Sequence, residues 1–139
     1  MGTVIPLRSR RVAEPIDAVV YQPDMDAIED VGWVLAEVSH VRLTALSTTE
    51  EGLWPLVEQY SPGLVLVVQD FAAMRRVSMG LPAGQAMAYA MRDAEGAPST
   101  TWLPSGGLRA VVSYPLVADE IEQVIDVMQG RRGVTWAMR

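Results

Sequence analysis

Five apolar residues, Leu64-Val65-Leu66-Val67-Val68, run without a break between Pro62-Gly63 and Gln69-Asp70. A run this short, rich in Val and bounded by turn residues, reads as a strand buried on both faces. Strands of that kind belong to parallel sheets with helices on each side. Such folds place ligands and chemistry just past the carboxyl ends of their strands. The residues that follow Val68 therefore bear most on function.

The flanking sequence supplies the other layers. Ile16 to Tyr21, with Ala18, Val19 and Val20 at its centre, predicts a first strand that Gln22-Pro23-Asp24 ends. Asp24 is placed to cap a helix whose Ile28, Val31, Leu35 and Val38 share one face. Asp26, Glu29 and Asp30 crowd its first turns, where negative charge suits the helix dipole. Val41 to Leu46 alternates, with Val41, Leu43 and Ala45 inward, and predicts a second strand near an edge. Thr48 and Glu51 have the spacing of a capping box. The helix they would open carries Leu53, Leu56, Val57 and Tyr60 on one face, and Pro55 either kinks it or sits in its first turn.

Past the central strand, Gln69 to Gly80 reads as one or two helical turns around Phe71, Ala72, Met74 and Val77. The Ala- and Met-rich stretch Gln85 to Glu95 predicts a helix that Gly96 stops. Ser99–Leu103 and Leu108–Tyr114 predict short strands joined by Pro104-Ser105-Gly106-Gly107. That connection is too short for a parallel crossover, so an antiparallel edge hairpin over 99–114 is expected. Ala118 to Gln129 predicts a helix with Ile121, Val124, Ile125 and Met128 as its buried stripe.

The chain has 139 residues, enough for one domain with a real core. The expected division is a polar arm over 1–15, a domain over 16–130 and a tail over 131–139. The formal net charge of −6 argues against direct nucleic-acid binding. No apolar run approaches membrane-spanning length, and without Cys the cytoplasm is the expected compartment. All 11 basic residues are Arg. No mechanism that needs an ammonium side chain is therefore available. His40 is the single His, and metal-ligand spacings, phosphate-binding loops and nucleophile elbows are absent. No catalytic residue, cofactor or metal is expected.

Four stretches in order resemble the receiver domain of bacterial response regulators. Val19-Val20-Tyr21-Gln22-Pro23-Asp24-Met25 is similar to the first strand and its exit, where the family has an acidic pair. Ser61-Pro62-Gly63-Leu64-Val65-Leu66-Val67-Val68 is similar to the third strand, which ends in the phosphorylated Asp. Leu81-Pro82-Ala83-Gly84 with the helix expected after it is similar to the turn and third helix. Ser113-Tyr114-Pro115-Leu116 before an acidic helix start is similar to the Lys-Pro-Phe turn and fifth helix.

The resemblance implies a flavodoxin-like, doubly wound, mostly parallel five-stranded sheet. The short 104–107 connection implies that the fourth helix is missing, and 70–80 reads as an insertion. The resemblance also implies a degenerate phosphorylation site. Val20 and Tyr21 occupy the acidic-pair positions, Val68 that of the phosphoacceptor and Tyr114 that of the Lys. Receiver chemistry needs carboxylates for a hard divalent cation, an Asp nucleophile and a cation on the phosphoryl oxygens. Asp24 and Asp70 lie near the strand ends and are the residues that could retain a weak cation site.

The expected function is a non-catalytic, phosphorylation-independent protein-interaction module in signalling or transcriptional regulation, with a protein partner or a second copy. The alternative is a small-molecule or anion-binding regulatory domain using Gln22, Gln69 and Ser113 at the strand ends. Arg75 and Arg76 are candidate contacts for an acidic partner. Val134, Trp136 and Met138 alternate at the strand period, so an extended tail would present them on one side. Such a tail is expected to dock in cis or to exchange in a homodimer, and the open edge of the second strand is the expected place.

Overall fold

Among the described residues, five strands lie side by side: Ile16–Tyr21 (β1), Val41–Ser47 (β2), Leu64–Val68 (β3), Ala86–Met91 (β4) and Leu108–Ser113 (β5). Their order is β2-β1-β3-β4-β5, and every pairing is parallel. Among the described residues, four α-helices cover them: Ile28–Ala36 (α1), Glu50–Tyr60 (α2), Phe71–Gly80 (α3) and Ala118–Met128 (α4). The computed structural model describes residues 15–92 and 107–128. The expected arm, but for Pro15, and the tail with Val134, Trp136 and Met138 lie outside the described residues.

β3 sits at the centre, and all five of its residues are fully buried. The period of two divides them between two cores. Leu64, Leu66 and Val68 pack with Val31 and Leu35 of α1 and Ile121, Val124 and Ile125 of α4. Val65 and Val67 pack on the other face with Leu53 and Val57 of α2 and Ala73, Met74 and Val77 of α3. Each such side chain contributes roughly 1.5–3 kcal/mol by leaving water.

Caps set the helix starts. Asp24 accepts from the Asp26 N–H at 3.0 Å and opens a 3-10 turn, Met25–Ala27, that leads into α1. Thr49, rather than Thr48, caps α2 by accepting from the Gly52 N–H at 3.0 Å. Pro55 is accommodated inside that helix.

The stretch expected to form a helix at 85–95 is instead strand β4, buried along its whole length. Ala and Met are good helix formers, but intrinsic propensity is small per residue and burial between β3 and β5 overrides it. The third crossover helix is therefore Phe71–Gly80, a full ten residues, and 70–80 is no insertion. The receiver-like alignment of the third helix to residues after Gly84 shifts back accordingly.

β5 pairs with β4, so the β4–β5 connection runs over 92–107 rather than 104–107. That length suits a parallel crossover. The four α-helices described match the expected number. The stretch where a receiver has its fourth helix, 93–106, lies outside the described residues, as does the 99–103 arm of the expected hairpin. The described sheet is wholly parallel.

β2 is an edge strand, as expected, but its side chains do not alternate simply. The register to β1 shifts between Ala18 and Val19, so Thr44 is bulged out of the pairing. Val41 packs on the α1/α4 face, Leu43 is exposed, Ala45 packs on the α2/α3 face and Leu46 returns to the first. One extra residue flips every side chain beyond it.

Two substitutions test this layering. Leu66→Ala is expected to cost about 2–5 kcal/mol in urea denaturation. Leu43→Ala, on the exposed side of the bulge, is expected to stay within about 0.5 kcal/mol.

Candidate functional site

A parallel sheet gathers the carboxyl ends of all its strands on one edge. Here that edge carries Tyr21 at the end of β1 with Gln22 after it, Gln69 and Asp70 after β3, Arg92 after β4, and Ser113 at the end of β5 with Tyr114 and Pro115 after it. The four positions at which the receiver resemblance puts its chemistry divide between the two faces. Val20 and Val68 point into the α1/α4 core and are fully buried. Tyr21 belongs to the α2/α3 side. Tyr114 packs at the margin of the α1/α4 core, with the Arg92 guanidinium 5.5 Å above its ring.

The Tyr21 hydroxyl donates to Asp70 Oδ2 at 2.9 Å. The other Asp70 oxygen, Oδ1, accepts from the Ala73 N–H at 3.0 Å and caps α3. Both carboxylate oxygens thus have protein donors. Burial pushes the Tyr21 phenol up to about 12, helped by its hydrogen bond to Asp70 and by the negative charges of Asp70 and Glu50. Beside this pair, Arg76 Nε and Nη2 donate to the two oxygens of Glu50 at 2.8 and 2.6 Å. The fork holds the Glu50 carboxyl below its ordinary range. An open hollow of about 390 Å³ lies against Glu50, Glu51, Trp54 and Arg76. Of the candidate arginines, Arg76 is therefore tied to its own domain, while Arg75 is exposed.

The remaining strand-end groups are mostly occupied. Asp24 is taken up by its cap. Ser113 donates its N–H to Glu120 Oε1 at 2.8 Å and its hydroxyl to Oε2 at 3.1 Å. His40 lies at the opposite end of the sheet, where Nδ1 is 3.4 Å from Glu122 Oε1. Burial raises the Glu122 carboxyl, but hydrogen bonds from Ser39 and His40 outweigh it and leave it below its ordinary range.

Gln22 is 1% exposed, and its Oε1 accepts from the Asp24 N–H at 3.0 Å while Nε2 has no partner. Gln69 holds a left-handed backbone, φ +51°, and its buried Oε1 also lacks a partner. Such a conformation costs a residue with a Cβ about 1–3 kcal/mol. Among the described residues no group of three or more His, Cys, Asp or Glu could hold a metal ion. No described helix is long and apolar enough to cross a membrane.

On the α1/α4 side the same edge opens into a groove of about 580 Å³. Ala27, Val31, Val34 and Leu116 contribute apolar lining, Asp24, Asp26 and Asp30 carry acid to it, and Tyr114 and Arg92 face it from the other side. Trp33 lines it and is 71% exposed. Sequence reasoning did not find this groove, although the one-sided acid of α1 and a Trp off its buried stripe were its signals.

Sheet order, crossover helices and strand-end geometry define a receiver-like fold of the flavodoxin type. Among solved structures, the receiver domain of the response regulator NarL from Mycobacterium tuberculosis is similar with a TM-score of 0.61 at 15% identity, over 85% of this chain and 99% of that one. The receiver domain of the PhyR response regulator from Erythrobacter litoralis is similar with a TM-score of 0.58 at 12% identity, over 88% and 96%. The anti-anti-sigma factor PhyR from Bartonella quintana is similar with a TM-score of 0.63 at 12% identity, and this chain covers 52% of its length. No protein-family model and no curated protein matches the chain.

Two measurements test the site. The raised phenol gives stability that is fully present below pH 10 and is lost as pH rises through about 12. Tyr21→Phe is expected to abolish that alkaline dependence and to cost about 1–2 kcal/mol at neutral pH, read by urea denaturation. Val68→Asp puts an unpaired carboxylate into the α1/α4 core and is expected to cost about 3–5 kcal/mol.

Proposed function

We propose that this chain is a non-catalytic, receiver-like module that acts in the cytoplasm by binding protein, in signalling or transcriptional regulation, independently of phosphorylation. One observation carries the reading: where a receiver would present its carboxylate cluster, this chain buries Val68 and ties Asp70 to a phenol and a helix N-terminus. A nucleophile needs a free oxygen, and a hard cation needs several. Neither is offered at Val20, Tyr21 or Val68. Tyr114 supplies a ring to Arg92 where a receiver supplies an ammonium group. The receiver and PhyR likenesses support a regulatory role, and the acid-rimmed groove beside Trp33 supports a protein partner rather than nucleic acid.

A second reading, a small polar ligand at the strand ends, is favoured by the unpaired Gln22 Nε2 and Gln69 Oε1 at the ends of neighbouring strands. The occupation of Ser113 by Glu120 weighs against it.

Incubation with acetyl phosphate and Mg²⁺, followed by intact-mass measurement, tests the first reading. The mass is expected to stay unchanged. An acid-labile gain of one phosphoryl group on Asp70 or Asp24 would overturn it.

A further inference from the structure

The groove between the first turns of α1 and the β5–α4 connection has an apolar lining and three carboxylates, Asp24, Asp26 and Asp30, against one guanidinium. Its occupant should carry apolar side chains on one side and positive charge. The last stretch of this chain has both properties. Val134, Trp136 and Met138 alternate, and Arg131, Arg132 and Arg139 are its only charged residues. We infer that residues 129–139 fold back along the α1/α4 seam and seat Trp136 beside Trp33 in this groove.

The reach fits. α4 is 11 residues, about 16 Å from end to end. It starts next to Leu116 in the groove and ends at Met128. The stretch from Met128 to Trp136, extended, spans about 26 Å. That exceeds the length of α4 with chain left for the reversal. The Arg-bearing stretch before β1 starts at that same end of the sheet, where α4 finishes, but it holds no aromatic residue to sit beside Trp33 and carries Glu14 among its arginines.

The β2 edge is the competing site, and it suits this tail poorly. The bulge at Thr44 breaks the regular row of backbone partners, and the Arg42–Asp17 ion pair, at 2.7 Å, places charged side chains there. Bulges and charges on an edge strand oppose strand addition.

The chain has no cysteine, so a single one can be placed and labelled. Ala137→Cys puts a nitroxide on the side of an extended tail opposite Trp136. In the full chain, the amides of Ala27 and Asp30 and the Trp33 indole are expected to lose most of their NMR intensity, while Leu43 and Arg42 keep theirs. Adding Asp26→Lys and Asp30→Lys should restore the groove signals with the rest of the spectrum unchanged, and high salt should restore them in part. Loss of signal at β2, or nowhere, would overturn the proposal. A mixture of isotope-labelled and spin-labelled copies separates the second-copy case. Intensity loss in the mixture equal to that within one chain would assign the groove to another molecule's tail and overturn docking in cis.

Discussion

The structure depends on the burial of β3 on both faces. Its five side chains carry no polar atom, so neither face of the strand tolerates water. Two helical layers must therefore cover the sheet, and parallel neighbours joined by crossover helices supply them. Leu66 draws α1 and α4 to one side, while Val65 and Val67 draw α2 and α3 to the other. All strands then end on the same edge, which is where the chemistry of such a fold is decided.

At that edge the same burial governs the site. Val68 is the last residue of β3, and its side chain continues the α1/α4 core rather than reaching solvent. A cluster of carboxylates repels itself unless a cation neutralises it. Here a neutral phenol from β1 meets a single carboxylate from the β3–α3 turn, and the pair is satisfied without a cation. Asp70 joins β1 to α3 through Tyr21 and the Ala73 N–H, and Arg76 joins α3 to α2 through Glu50. The strand-end region is thus tied together by interactions that persist at neutral pH.

Much of this was legible in the residues. The central strand, β1, α1 and α4 follow from apolar runs, periodicity and caps that lie within a few residues of one another. The fold type follows from the resemblance at strand ends, and the same resemblance is the source of Val20, Tyr21, Val68 and Tyr114 as proposed site positions. β4 was not legible, because six buried residues show no alternation and Ala and Met suggest a helix. That one misreading moved the third helix and made Phe71–Gly80 look like an insertion. The Tyr21–Asp70 bond joins residues 49 apart in sequence, and no local pattern announces it. The bulge at Thr44 has no Gly to mark it, and the groove beside Trp33 exists only once the β5–α4 connection lies against α1.

The Tyr21–Asp70 hydrogen bond occupies the strand-end carboxylate, and on the proposed reading it closes the site to a cation. Titration of the isotope-labelled chain with Mn²⁺, read by NMR line broadening, tests this most directly. It should leave the amides of Tyr21, Gln22, Gln69 and Asp70 no more broadened than those of other exposed acidic segments such as Asp119. Saturable broadening centred on Gln22 and Asp70 would contradict the account, because it would mean that the site opens and holds a divalent ion.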